Sequence, residues 1–218
     1  MSHIAVIDYG SSNLRSVSKA LEAVASPGQK VRVTNDPKII RGCERAVFPG
    51  QGAIGDCMNQ LKQLDLIESI KDCIASKPFL GICLGLQSLM TSSDENDGVD
   101  CLNIFAGSVK RFIRSKPRTD LEKIPHMGWN KVNWTNSHFL TKGIPDGSYF
   151  YFVHSYFVET SSPKIIASKT KYIKKFTSAV SRDNVFATQF HPEKSAENGL
   201  IFLANFVRWN GNLSGLTD

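Results

Sequence analysis

The chain has 218 residues, 41% of them hydrophobic and 21% charged, which is enough for one substantial hydrophobic core. No apolar run approaches the roughly 18 residues of a membrane span, and residues 1–8 lack the basic segment and cleavage site of an export signal, so we expect a cytoplasmic protein. The net charge of +6 comes from scattered Lys and Arg residues without a recognition motif. This argues against nucleic-acid binding and favours a solvated basic face or an acidic protein partner.

The first two thirds of the chain alternate strand-like and helix-like segments. Short apolar runs predict strands at residues 4–8, 31–34, 46–48 and 79–82. Apolar residues at helical spacing predict a helix from residue 14 to 24, one or two helices over 57–74, and a helix over 84–90. Strands that alternate with helices in this way favour a mainly parallel sheet with helices on both faces.

After residue 105 the pattern changes to strands separated by turns, at 109–113, 131–134, 149–153, 165–168, 178–181 and 186–190. We expect these strands to extend the sheet antiparallel or to form a smaller second sheet. Leu200, Leu203, Ala204 and Val207 share one face of a last helix. No linker or repeat divides the chain, so the prediction is an α/β fold in a single domain over residues 1–218.

The five cysteines, at positions 43, 57, 73, 83 and 101, contain no CxxC pair and no Cys/His cluster. Neither a zinc site nor a disulfide framework is therefore indicated. Four of the five are typical of small buried hydrophobic residues. Cys83 differs because it is the centre of Gly81-Ile82-Cys83-Leu84-Gly85, between a predicted strand and a predicted helix.

A G-x-nucleophile-x-G turn holds its central residue on a sharp corner, at the sheet edge where open α/β folds place their sites. The thiol would also lie at a helix N-terminus, whose dipole favours the thiolate. The alternative is a buried structural cysteine whose glycine neighbours allow close packing.

A thiolate nucleophile needs a base and a group that orients the base. His191 follows a predicted strand, Pro192 restricts its backbone, and Glu193 can reach one nitrogen of its ring. His3 and His138 are expected to be structural or exposed, whereas His126 and His154 remain open as alternatives. For the oxyanion, the candidate donors are the backbone N–H of Leu84 and one from the Gly50-Gln51-Gly52 turn, which is otherwise a plain glycine-rich turn.

Three segments together resemble class I, or triad-type, glutamine amidotransferases. They are Pro49-Gly50-Gln51-Gly52, Gly81-Ile82-Cys83-Leu84-Gly85 and Phe190-His191-Pro192-Glu193. The resemblance implies Cys83 as nucleophile, His191 as general base and acid, and Glu193 as the orienting carboxylate. It implies an oxyanion hole at Gly52 and Leu84, and contacts to the L-glutamine substrate from Gln87, Glu95, Ser155 and Tyr156. It implies no metal and no organic cofactor.

Three further segments are similar to one branch of this family, the glutaminase subunits of imidazole glycerol phosphate synthase. They cover residues 8–13, 125–130 and 149–156, the second reading Pro-His-Met-Gly-Trp-Asn. This likeness implies a heterodimer in histidine biosynthesis, in which ammonia passes to a separate (β/α)8-barrel cyclase subunit. Asn13, Trp129, Tyr151 and Lys194 match interface positions. Ser12 replaces the second glycine of the usual D-Y-G-x-G-N, which affects the shape of that loop rather than the chemistry.

Three alternatives remain at the sequence level. A paralogous amidotransferase would supply ammonia for sugar modification in surface polysaccharides. A catalytically idle scaffold would bind the partner without turning glutamine over, although the intact Cys83, His191 and Glu193 argue against it. A related thiol peptidase or amidase would use the same corner, but Gln87 and Glu95 suit a small zwitterion better.

Overall fold

A computed structural model describes residues 3–113 and 123–212. The helices are α1 (Leu14–Val24), α2 (Pro37–Arg41), α3 (Ile54–Gln63), α4 (Ile67–Ser76), α5 (Leu84–Gln87) and α6 (Ala196–Arg208). The strands of the first half are β1 (His3–Ile7), β2 (Lys30–Thr34), β3 (Arg45–Gly50), β4 (Phe79–Cys83), β5 (Met90–Ser93) and β6 (Val99–Asp100). Those of the second half are β7 (Phe105–Arg111), β8 (His126–Trp134), β9 (Ser148–His154), β10 (Tyr156–Thr160), β11 (Ile166–Lys171), β12 (Lys175–Arg182) and β13 (Val185–Thr188).

A parallel sheet forms the centre of the molecule, with the strand order β2-β1-β3-β4-β13. Strand β12 pairs antiparallel with β13 and continues the sheet through β10 and β7 to β5 and β6. The hairpin β8–β9 joins through β11. The predicted mainly parallel sheet with added antiparallel strands is thus confirmed, and the second half extends the first sheet.

Alternation along the parallel strands sends side chains into cores on both faces of the sheet. In β1, Ile4 and Val6 pack on the face that α1 and α6 cover, together with Leu21 and Phe202. Ala5 and Ile7 pack on the opposite face, which contains buried residues of α2, α3 and α4. Strands buried on both sides explain why their sequences are continuous apolar runs.

The structure corrects several sequence-based boundaries. The helix predicted over residues 84–90 ends at Gln87, and Met90 already begins β5. Residues 57–74 form two helices, α3 and α4. The short elements α2, β5, β6 and β10 were not predicted from the sequence. In the described ranges, no helix has the length and apolar character needed to cross a membrane.

Candidate active site

Cys83 occupies the corner between β4 and α5. Its backbone has φ 55° and ψ −103°, a conformation that residues other than glycine rarely adopt. Strain of this kind persists only where the surroundings enforce it, and it is concentrated at functional sites. The corner projects the Cys83 side chain at the carboxyl end of the parallel strands, where 7% of the residue remains exposed. The strand–turn–helix context that the G-x-C-x-G pattern requires is present.

Close packing explains the two glycines of this turn. A Cβ on Gly85 would lie 1.9 Å from the carbonyl oxygen of Phe48 in β3, and a Cβ on Gly81 would lie 3.0 Å from the Cβ of Ala187 in β13. Gly50, at the end of β3, is similarly crowded, since a Cβ there would lie 2.7 Å from the Cβ of Leu84. The start of α5 can therefore press against β3 only if these positions lack side chains.

His191 and Glu193 stand together beyond the end of β13. His191 Nδ1 lies 2.7 Å from Glu193 Oε1, and both side chains are almost fully buried. Because an ionised carboxylate can only accept, Nδ1 carries the proton and Nε2 is left for another partner. Nε2 is itself buried without a hydrogen bond among the described groups. The backbone of His191 is held in place because its N–H donates to Tyr151 O at 2.9 Å and its carbonyl accepts from Ser195 Oγ at 2.6 Å.

The pKa of His191 reflects its position between two acidic groups. Burial lowers this pKa, but the opposing charges of Cys83 and Glu193 outweigh burial and raise it to about 10. The imidazolium form is therefore favoured while the sulfur and the carboxylate are ionised. Cys83, His191 and Glu193 thus behave as one electrostatic unit.

A cavity of about 460 Å³ opens in front of Cys83 and brings most of the predicted site residues together. Its lining includes all four predicted substrate contacts and both predicted oxyanion-hole residues, namely Gln87, Glu95, Ser155, Tyr156, Gly52 and Leu84. Gly52 has φ 98°, which favours glycine there, and Glu95 Oε2 accepts the N–H of Ile54 at 3.0 Å. A cavity of this volume has room for a free amino acid.

A row of hydrogen bonds supports the wall of this cavity. Gln87 Nε2 donates to Tyr156 O at 3.1 Å, and His154 Nδ1 donates to the same oxygen at 2.7 Å. His154 Nε2 then accepts from His126 Nδ1 at 2.9 Å. Burial lowers the pKa of His126 to about 4 and that of His154 to about 3, so both rings are neutral near pH 7. They therefore form a structural pair, and the structure leaves His191 as the histidine next to Cys83.

The four residues expected at a partner interface lie in different settings. Asn13 is buried and donates to Glu193 Oε1 at 2.5 Å, so it lies behind the His191–Glu193 pair. Tyr151 and Lys194 line the cavity, with Lys194 Nζ 5.9 Å from the centre of the Tyr151 ring. Trp129 is 51% exposed and packs edge-on against Tyr151. Their role in partner binding stays a prediction.

Two contacts of the site were not predicted from the sequence. One is the Asn13–Glu193 hydrogen bond, which joins residues 180 positions apart. The other is Gln189, which is fully buried and donates to Cys83 Sγ at 3.6 Å. Its position two residues before His191, at the end of a buried strand, was the available signal, because buried amides need partners.

The other four cysteines and the histidines at positions 3 and 138 do not line the cavity. Cys43, Cys57 and Cys73 are buried, whereas Cys101 is partly exposed. His3 and His138, which were expected to be structural or exposed, are both buried. Within residues 3–113 and 123–212, no three His, Cys, Asp or Glu side chains are grouped so that they could hold a metal ion.

Fold and site together define an α/β protein with a cysteine on a strand-to-helix corner, backed by a histidine and a carboxylate. This is the arrangement of enzymes that transfer acyl groups through a thiol. The family model described as glutamine amidotransferase class-I matches residues 5–209, and the chain belongs to that family.

Full-length relatives have more specific names. The chain is 54% identical over 211 residues to a protein of Nitrosococcus oceani named imidazole glycerol phosphate synthase subunit HisH, covering 97% of this chain and 99% of that protein. It is 51% identical over 212 residues to a protein of Aromatoleum aromaticum with the same name, and the match covers 96% of this chain and 99% of that protein. Among solved structures, a putative GMP synthase protein from Thermoplasma acidophilum matches with a TM-score of 0.69 at 22% identity, covering 95% of this chain and 93% of that one. This last likeness concerns the fold alone.

Proposed function

We propose that this chain is the glutaminase subunit of an imidazole glycerol phosphate synthase and serves histidine biosynthesis. The observation that carries the proposal is that Cys83 lies beside the His191–Glu193 pair and at a cavity with room for glutamine. The 54% identity to a relative with that name, over almost the whole chain, supports the choice of pathway.

The reaction begins with glutamine in the cavity and its side-chain amide carbon next to Cys83. The thiolate attacks this carbon, and the charge that develops on the amide oxygen is stabilised by backbone N–H groups at Leu84 and Gly52. His191 then gives its Nε2 proton to the amide nitrogen, the C–N bond breaks, and ammonia leaves. A glutamyl thioester on Cys83 remains.

Hydrolysis of the thioester uses the same groups in reverse. His191 Nε2, now neutral, removes a proton from a water molecule, which attacks the thioester carbon. The C–S bond breaks, glutamate leaves, and the thiolate–imidazolium pair is restored. Glu193 holds the ring through Nδ1 in both steps and stabilises its charged form.

The name of the relatives includes the word subunit, which means that such a chain works with a partner. We propose that the partner is a (β/α)8-barrel cyclase that forms a heterodimer with this chain and receives the ammonia. An exposed strip on β8 and β9 supports this, since Met127, Trp129 and Tyr149 are between 50% and 63% exposed. Large apolar side chains grouped at a surface are typical of a protein interface. The cytoplasmic location expected from the sequence stays a prediction.

The proposed chemistry is tested by a glutamine analogue with a chloromethyl ketone in place of the side-chain amide. We expect one covalent adduct, located on Cys83 by peptide mass analysis, and protection by excess glutamine. The variant Cys57→Ser, which changes a buried cysteine outside the cavity, is the control and should label like the wild type. Labelling of another cysteine, or labelling that glutamine does not slow, would contradict the proposal.

The sugar-modifying alternative uses the same triad and differs in the acceptor of the ammonia. The identity to the named relatives favours the histidine pathway. Formation of imidazole glycerol phosphate from glutamine, when the purified chain is mixed with the cyclase and its ribonucleotide substrate, would decide between the two.

A further inference from the structure

Gln189 connects the nucleophilic sulfur to the cavity wall. Strand β13 runs parallel to β4 with Thr188 level with Ile82, so the next residue, Gln189, lies level with Cys83. The Gln189 side chain is fully buried, and its Nε2 lies 3.6 Å from Cys83 Sγ. Its Oε1 lies 3.1 Å from Nε2 of Gln87.

The orientation of this amide follows from the carbonyl of Tyr156. A carbonyl oxygen can only accept, so the Gln87 atom at 3.1 Å from Tyr156 O must be Nε2. The same Nε2 lies next to Gln189, which must therefore present Oε1 to it. The N–H group of Gln189 is then left facing the sulfur. Reversing either amide would place donor against donor or acceptor against acceptor.

We propose that Gln189 is a positioning residue of the glutaminase reaction, which holds Cys83 Sγ through an N–H···S hydrogen bond and stabilises the thiolate over the thiol. This inference rests on the proposed function. A hydrogen bond donated to the charged form of a group favours that form. The donor is neutral and cannot be consumed by the proton transfers that engage His191. It therefore supports the sulfur through both halves of the reaction.

A purely packing role does not account for this residue. Burying an amide without partners is unfavourable, and an apolar side chain of the same size would fill the space at lower cost. Both ends of the Gln189 amide instead have partners, one at Gln87 and one at Cys83. Through Gln87 the amide is also linked to Tyr156, a residue of the cavity wall.

The test is Gln189→Met, which keeps the length of the side chain and removes the N–H donor. The first readout is the rate at which iodoacetamide alkylates Cys83 without glutamine, followed from pH 5 to pH 10. We expect the midpoint of this pH profile to rise by about one unit, because the thiolate loses a hydrogen bond of about 1.4 kcal/mol. In glutamine turnover, kcat should fall by about tenfold, more than KM changes.

Thr188→Val is the matched control. Thr188 is equally buried in the same segment, and the exchange removes its 2.9 Å hydrogen bond to Phe190 O without touching the sulfur. Its alkylation profile should match that of the wild type. An unshifted profile in Gln189→Met, or an equal shift in both variants, would overturn the inference.

A second measurement tests the hydrogen bond in the wild-type protein, without the variant. If Gln189→Met does not fold, the Nε2 protons of Gln189 in the wild type are followed by nuclear magnetic resonance as Cys83 ionises. Downfield movement of one proton supports the hydrogen bond, and its absence overturns it. Because alkylation needs no glutamine, a shifted profile in a protein without glutaminase activity would refute the proposed function and the role in it, and would leave only the hydrogen bond from Gln189 to Cys83 Sγ supported.

Discussion

Glu193→Gln separates the charge of the triad carboxylate from its geometry. Glu193 Oε1 accepts from His191 Nδ1 at 2.7 Å and from Asn13 Nδ2 at 2.5 Å, and a glutamine oxygen can accept both hydrogen bonds. The exchange therefore keeps the ring in place and removes a buried negative charge. The hydrogen bond to the charged ring loses its second charged partner, so its strength should fall from the upper toward the lower end of the range of about 1.5–3 kcal/mol for hydrogen bonds to charged groups. The difference of about 1–2 kcal/mol corresponds to a loss of about 5- to 30-fold in kcat.

Glu193→Gln should also move the pH dependence of kcat/KM in a definite direction. The pKa of His191 is raised to about 10, in part by Glu193, so removing that charge lowers it. The imidazolium is lost at lower pH, and the alkaline limb of kcat/KM should move to lower pH, a limb that reports Cys83 and His191 as a coupled pair. Glutamate release measured between pH 6 and pH 10.5 tests this. The control is Glu197→Gln, which neutralises an exposed carboxylate on α6.

Two results would contradict this role of Glu193. One is a loss of activity as complete as that of Cys83→Ser, which would make the carboxylate as necessary as the nucleophile. The other is an unmoved alkaline limb, which would mean that Glu193 does not stabilise the charged ring.

Three other predictions concern the corner, a buried histidine and the surface. Gly85→Ala should lower the free energy of unfolding by about 1–3 kcal/mol in urea titrations, since its Cβ would lie 1.9 Å from Phe48 O; unchanged stability would contradict the packing. Burial lowers the pKa of His138 from 6.5 to about 4, so the unfolded chain binds one more proton between these values and stability falls as pH drops through them. His138→Asn keeps an acceptor for the N–H of Leu140 and should reduce that fall by up to about 1.4 kcal/mol per pH unit. The same pH dependence of the free energy of unfolding in variant and wild type would refute this prediction. Trp129→Ala should weaken cyclase binding at least about tenfold in calorimetry with little change in melting temperature, and unchanged affinity would remove Trp129 from the interface.

The fold was predictable where the sequence has continuous apolar runs or apolar residues at helical spacing. Buried parallel strands such as residues 79–82 are continuous apolar runs, and α1 and α6 have clear apolar faces. The end of α5 was not predictable, because Leu86, Leu89 and Met90 continue the apolar spacing of a helix past the point where α5 ends.

The site was predictable in part for a similar reason. The corner at Cys83 and the His191–Glu193 pair are local in sequence, and glycine and proline make both visible. Asn13 and Gln189 reach the site only through contacts between distant segments. Nothing in the neighbourhood of either residue indicates its partner, so only the fold reveals these hydrogen bonds.

We propose that this chain couples glutamine hydrolysis to a cyclase, and the assay for this coupling is glutamate release by the purified chain. The assay is run with the chain alone, and then with the cyclase and its ribonucleotide ligand, for the wild type and Cys83→Ser. We predict that the wild-type chain alone releases little glutamate and that the liganded cyclase strongly stimulates this release. Cys83→Ser should release no glutamate under either condition. Release that does not depend on the cyclase would contradict the coupling, and release that persists in Cys83→Ser would exclude Cys83 as the nucleophile.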